Sequence, residues 1–183
     1  NPNPQTYQEF LDILETIKNS GTGIVPLHMS NKDTWVQQIM TSVGLSVLMD
    51  ERCEDVYNKV LENKLKFQNL PEYIEILKTL KALYDKGYIN TDHLSATYDD
   101  SMEAVGTGKA AMMYNGEWIV GTLESKGADV GAFAIPFGNK QKIAIGQFVQ
   151  GLLVSNKGQN IEGALKVLEL WSTPPYMDIY FAG

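Results

Sequence analysis

Phe10, Ile13, Leu14 and Ile17 recur at i, i+3, i+4 and i+7, the spacing that lays one apolar stripe along a helix. Thr6 and Glu9 precede the stripe at capping-box spacing, and Lys18 followed by Gly21 or Gly23 predicts its end. Ile24 to His28 is a short apolar run closed by Ser30 and Asn31, which reads as a strand. Pro26 has no N–H to give a ladder, so the strand is expected at a sheet edge. A second helix is predicted from Thr34 to Val43, capped by Asp33 and stopped by Gly44. Asp50, Glu51, Glu54 and Asp55 lack the alternating oxygens and central glycine of a calcium loop and read as a solvated helix face. Asn69 and Glu72 repeat the capping-box spacing around Pro71. Tyr73, Ile76, Leu77, Leu80 and Tyr84 then predict one buried face, ending at Lys86 and Gly87.

The stretch from Tyr98 to Trp118 is the densest in signals. A short helix carrying Met102 and Val105, capped by Asp99 or Asp100, is broken at Gly106 and Gly108. Ala110 to Tyr114 follows as a strand, and Glu117 to Glu124 as the next helix. That order sets Asn115, Glu117 and Trp118 at the end of a strand, where open α/β sheets keep their ligands. Further strands are expected at Val130 to Ile135, Ile143 to Ile145 and Leu152 to Ser155, the last two flanking a loop with Gln147 and Gln150. The last clear helix, Ile161 to Trp171, is expected to bury Ala164, Leu165, Leu168 and Trp171 and to stop at Pro174 and Pro175. Helices alternating with short strands define an α/β class, with helices around a small mixed sheet.

Composition removes several functions. The chain has 183 residues and a net charge of −7, and Arg52 is its one arginine, so the basic stripe of a nucleic-acid binder is missing. Cys53 stands alone, which excludes an internal disulfide and a multi-cysteine metal site. His28 and His93 have no spacing partner for zinc. Gly106-Thr107-Gly108-Lys109 departs from a phosphate loop, with Glu103 where the first glycine belongs and Ala110 where a hydroxyl should reach magnesium. No Gly-x-Ser-x-Gly elbow marks a nucleophile. No catalytic residue, metal or cofactor is assigned.

What remains is binding chemistry. Trp35 and Trp118 each follow a short polar run at a strand-to-helix junction. An indole there can offer its flat face to the C–H surface of a sugar ring while adjacent amides and carboxylates meet the hydroxyls. The alternative is that each ring staples its helix to the sheet. Trp171, at the end of an amphipathic helix, reads as packing.

Gly108-Lys109-Ala110-Ala111-Met112 followed by Asn115-Gly116-Glu117-Trp118 resembles the signature of extracellular solute-binding proteins, the sugar-binding group that feeds ABC importers. Thr6-Tyr7-Gln8-Glu9-Phe10 resembles the family's helix start, with Tyr7 in place of tryptophan. Ala82 to Ile89, Asp129 to Pro136, and Ala164 to Pro174 continue the likeness in the same order. Val105 departs from it, standing where phenylalanine is common. The resemblance implies a periplasmic-binding-protein-like type II lobe. Residues 1–146 would form the C-terminal lobe of a two-lobe protein, and 147–183 a returning hinge strand and helix. Both ends are accordingly expected to be internal to a longer chain.

Together with the polar runs, the resemblance makes Trp118, Glu117, Asn115, Trp35, Asp33, Asn31 and Gln147 the expected ligand-binding residues. It implies an extracytoplasmic receptor, in the parent a periplasmic or lipid-anchored one, that takes a mono- or oligosaccharide and delivers it to ABC permease subunits. Other readings of the same residues are a glycan-processing enzyme built on Glu117, a peptide or polyamine receptor, and an accessory domain with a buried Trp118. The helix from Ile161 and the tail Tyr176, Tyr180 and Phe181 are expected to fold back on the lobe or to pair with a second chain.

Overall fold

A computed structural model describes residues 3–138 and 153–181. The chain divides into two compact units, Asn1–Ile145 and Gly146–Gly183.

The first unit opens with α1 (Tyr7–Lys18), where Thr6 caps the amide of Glu9 as its spacing predicts. The Glu9 carboxylate reaches one residue further back than a capping box requires and accepts from the Gln5 N–H at 2.7 Å. Phe10 and Leu14 are the fully buried positions of the stripe. Next come β1 (Val25–His28), α2 (Thr34–Met49), α3 (Cys53–Leu61), α4 (Pro71–Asp85), α5 (Tyr98–Gly106), β2 (Ala110–Met113) and α6 (Val120–Ser125). Single 3-10 turns precede α3, α4 and α6, the last over Glu117–Ile119. The strands β1 and β2 pair in parallel, with Val25 opposite Ala110, Leu27 opposite Met112 and His28 opposite Met113. The α/β class holds, and every pairing among the described residues is parallel.

Several expectations for this unit change. The strand β1 is not an edge: Leu27 also bridges Ile89 in parallel, and its N–H donates to the Tyr88 carbonyl. Pro26 lies between the donating amides of Val25 and Leu27, where a missing N–H breaks neither bond. Gly44 does not stop α2, which runs on to Met49. An added Cβ at Gly44 would lie 2.9 Å from Ile76 Cδ1, so the glycine is a close helix-to-helix contact. Asn69 does not cap α4, whose N-cap is Leu70 with Pro71 at the first position; Glu72 instead pairs with Arg52. The buried face of α4 uses Ile76 and Leu83, whereas Leu77 and Tyr84 point outward. Thr97, not an aspartate, caps α5, in a full capping box with Asp100.

Val130–Ile135 forms no strand, yet Ile135, Pro136 and Phe137 are buried, and Phe137 stacks at 6.4 Å on Tyr7. Apolar content there serves the core without a ladder. That core gathers Phe10, Leu14, Leu27, Met40, Val47, Ile76, Leu83 and Tyr88. Each such side chain contributes roughly 1.5–3 kcal/mol on burial. Tyr88 closes one end: its hydroxyl donates to Glu15 at 2.5 Å, and the Lys18 ammonium sits 5.7 Å from its ring centroid. This pairing holds the Glu15 carboxyl below its usual range, and burial pushes the Tyr88 phenol up to about 12.

The second unit contains α7 (Ile161–Trp171) and α8 (Pro174–Phe181). Asn160 caps α7 by accepting from the Gly163 N–H. No residue of α7 is buried, contrary to the expectation for Ala164, Leu165, Leu168 and Trp171. Pro174 and Pro175 open α8, since proline suits a first helical turn, where its missing N–H has no role. Leu153, Val154 and Ser155 are not a strand; Ile143–Ile145 and Leu152 lie outside the described residues.

Candidate functional site

Parallel register decides where the polar runs meet. With His28 opposite Met113 and Leu27 bridging Ile89, three chain segments leave the sheet at one carboxyl edge. They are residues 29–35, 90–98 and 114–118. Ligands of α/β proteins bind outside the carboxyl ends of strands, where backbone direction changes and side chains converge.

The first two segments are tied together. The buried Asn90 side chain accepts from the Met29 N–H at 2.8 Å and donates to its carbonyl at 3.2 Å, as a neighbouring strand would. Asn90 is itself fixed by donating to Asp92 at 2.7 Å. The Asn31 N–H donates to the His93 carbonyl at 2.8 Å, and Asn31 Nδ2 lies 2.9 Å from His93 Nδ1. Asp33 is the N-cap residue of α2 as expected, but its carboxylate makes no bond to the helix and instead accepts the Tyr98 N–H at 2.6 Å. That bond brings the rings of Trp35 and Tyr98 to 5.2 Å between centroids, with the indole 43% exposed.

Beneath this edge, His28 Nδ1 meets Ser101 Oγ at 2.8 Å. Burial lowers the imidazole's pKa, against the opposing pull of Asp92 and Asp100. Asp100 is held low by hydrogen bonds from the Thr97 amide and hydroxyl.

On the β2 side, Asn115 Oδ1 accepts the Gly116 N–H at 2.9 Å and so turns its Nδ2 away from the backbone. A Cβ on Gly116 would fall 2.0 Å from Trp118 Cζ3, so the indole lies directly on the glycine. Trp118 is nevertheless 56% exposed, and Glu117 is exposed beside it. Tyr114 is buried, and desolvation drives its phenol well above the ordinary range.

Four buried polar atoms of residues in these segments have no protein partner: Ser30 Oγ, Asn31 Oδ1, Tyr114 Oη and Asn115 Nδ2. Among the described residues one further such atom is found, Tyr7 Oη on α1. Leaving a buried donor or acceptor unmatched costs about 1–3 kcal/mol, so each of the four is a position where a further polar partner would be stabilising. The set mixes donors and acceptors and includes no charge, while Trp118 and Trp35 add apolar faces.

Six of the seven residues expected from sequence stand at this edge: Asn31, Asp33, Trp35, Asn115, Glu117 and Trp118. Gln147 lies outside the described residues. Ser30, Asn90, His93, Tyr98 and Tyr114 were not anticipated. The signal for Asn90 and His93 was present in Tyr88-Ile89 running into Asn90-Thr91-Asp92, a short apolar pair breaking into polar residues after a glycine.

A family model described as bacterial extracellular solute-binding protein matches residues 1–182. A multiple sugar-binding protein of Streptococcus mutans is 26% identical over 97% of this chain, which spans 43% of that relative's length. A chitin oligosaccharide binding protein of known structure is 26% identical, with a TM-score of 0.57 over 68% of this chain and 30% of its own. A solute-binding protein solved with raffinose shares the fold at a TM-score of 0.67 and 20% identity, covering 98% of this chain and 47% of its own.

Proposed function

This chain belongs to the bacterial extracellular solute-binding protein family, and from that premise we propose that it forms one wall of a carbohydrate-binding cleft. The observation that carries the reading is the set of four uncharged residues Ser30, Asn31, Tyr114 and Asn115, each with a buried polar atom lacking a protein partner. A sugar presents hydroxyls that both donate and accept, and C–H faces that pack on aromatic rings. An edge of amides and hydroxyls flanked by Trp118, Trp35 and Tyr98 answers both. A peptide or polyamine would call for charged groups where these four unmatched atoms are all neutral.

In this reading Trp118 stacks on a sugar ring, while Asn115, Asn31 and Glu117 meet its hydroxyls and Trp35 extends the apolar floor toward a second ring. Asp33 acts by fixing Tyr98. Gln147 contributes from the returning segment. Residues 1–146 correspond to one lobe and 147–183 to a crossing toward the other, which supplies the facing wall. Hinge closure of two such lobes would trap the sugar and present a closed form to ABC permease subunits outside the cytoplasm. The chain binds and releases its ligand without converting it, and it needs no cofactor. The names of relatives, which bind multiple sugars, raffinose and chitin oligosaccharide, agree with an oligosaccharide.

Calorimetry on the full-length parent with a panel of mono- and oligosaccharides, a peptide mixture and spermidine tests the assignment. Saturable binding of a saccharide is expected. Binding of the peptide or polyamine with no saccharide response would overturn it.

A further inference from the structure

We propose that His93 is a positioning residue that decides which end of the Asn31 amide faces the ligand, a role that rests on the carbohydrate reading of this edge. Asn31 Nδ2 lies 2.9 Å from His93 Nδ1, and Asn31 Oδ1 is buried with no protein partner. An amide NH2 can only donate, so His93 Nδ1 accepts, and the neutral ring carries its proton on Nε2. The Asn31 N–H bond to the His93 carbonyl, at 2.8 Å, holds the two residues in register whatever the ring does. Asn31 therefore presents an acceptor, while Asn115, on the neighbouring strand end, presents a donor through Nδ2. A pair of adjacent sugar hydroxyls can donate to one and accept from the other.

A proton on His93 Nδ1 reverses this. It faces the Asn31 NH2 donor to donor, and the amide relieves the conflict by turning over. The edge then offers two donors, and the ligand hydroxyl that gave its proton to Oδ1 loses its acceptor. The ring of Tyr84 on α4 stands edge-on to the imidazole at 5.2 Å; the charged residues nearest along the two joined segments are Asp92, which precedes His93, and Lys32 and Asp33, which follow Asn31. Asp92 accepts from Asn90 and Asp33 from Tyr98.

Two measurements test this. Two-bond proton–nitrogen correlation spectra of the ligand-free chain at pH 8 should place the His93 proton on Nε2, with Nδ1 as the hydrogen-bond acceptor. A proton on Nδ1 overturns the proposal without any ligand. On the full-length parent, calorimetry at pH 8 with raffinose, or with the tightest-binding saccharide of the panel above where raffinose does not bind, should show affinity falling about tenfold in His93→Leu, which offers the Asn31 NH2 no acceptor, and recovering in His93→Gln, which restores an acceptor oxygen. Unchanged affinity in His93→Leu, or no recovery in His93→Gln, overturns the proposal. Binding of no saccharide in the panel counts against the carbohydrate reading instead, and the spectra then decide the role of His93.

Discussion

The helices α4 and α7 are both amphipathic, 15 and 11 residues long, and each starts from a clear N-terminal signal. In the first unit α4 packs against α2, burying Ile76 and Leu83 completely. In the second, α7 buries nothing, and Leu165, Val167, Leu170 and Trp171 are between 41% and 58% exposed. The apolar periodicity of α7 is no weaker than that of α4. The difference teaches that a 3.6-residue apolar stripe specifies a helix and a face, while the partner of that face is written elsewhere in the chain or outside it. Exposure also differs in kind between the units. The exposed rings Trp118 and Trp35 belong to segments with unmatched polar atoms, whereas among the described residues α7 exposes Leu165, Val167, Leu170 and Trp171 with no such atom beside them.

The sharpest way to break the contrast is a matched pair of truncations. Ile76→Ala should cost about 2–5 kcal/mol of unfolding free energy in urea, because it opens a cavity between two helices. Leu165→Ala in the same chain should stay within about 0.5 kcal/mol. Equal losses would mean that α7 is as well packed as α4 in solution. Trp118→Ala separates the two kinds of exposure. It should lower saccharide affinity of the parent by about thirtyfold, as truncation of a central aromatic contact does, with the unfolding midpoint nearly unmoved. A large fall in stability with affinity retained would return Trp118 to the role of a staple.

Gly44→Ala probes the α2–α4 contact that α7 lacks. The new methyl meets Ile76 at 2.9 Å and should destabilise by about 1–3 kcal/mol, reversing the ordinary gain of alanine over glycine in a helix. The smallest expected effect is from His28. Its pKa is lowered in the folded state, so the unfolded chain binds the extra proton first as pH drops. Its contribution is complete above about pH 6.5 and is lost as pH falls through the folded value. The thermal midpoint should therefore decline from pH 7 to pH 5, and His28→Gln should flatten that decline.

Much of the first unit was legible in the sequence because local signals and tertiary demands coincide there. Thr6 caps α1, Gly87 at φ +66° ends α4, and Ala110–Met113 is a strand as its pattern predicts. The misreadings share one cause: a residue chosen for a contact distant in sequence was taken for local punctuation. Gly44 makes room for Ile76, Asp33 holds Tyr98, and Glu72 pairs with Arg52. The strand-end position of Asn115 and Trp118 followed from element order alone. Ser30 and Tyr114 could not be singled out so, because a serine or tyrosine becomes informative only when its hydroxyl is seen to be buried and unmatched. Asn90 acts as a strand in side-chain form, a role that composition does not reveal.

The contact between Gly116 and Trp118 has a consequence for how such a protein diversifies. A ring resting on a bare Cα is moulded by that glycine, and a single methyl at position 116 would collide with three of its atoms. One codon change could thus displace a whole aromatic surface while the tryptophan itself stays in place. In the proposed cleft, ligand preference would then shift through Gly116 while Trp118 is kept.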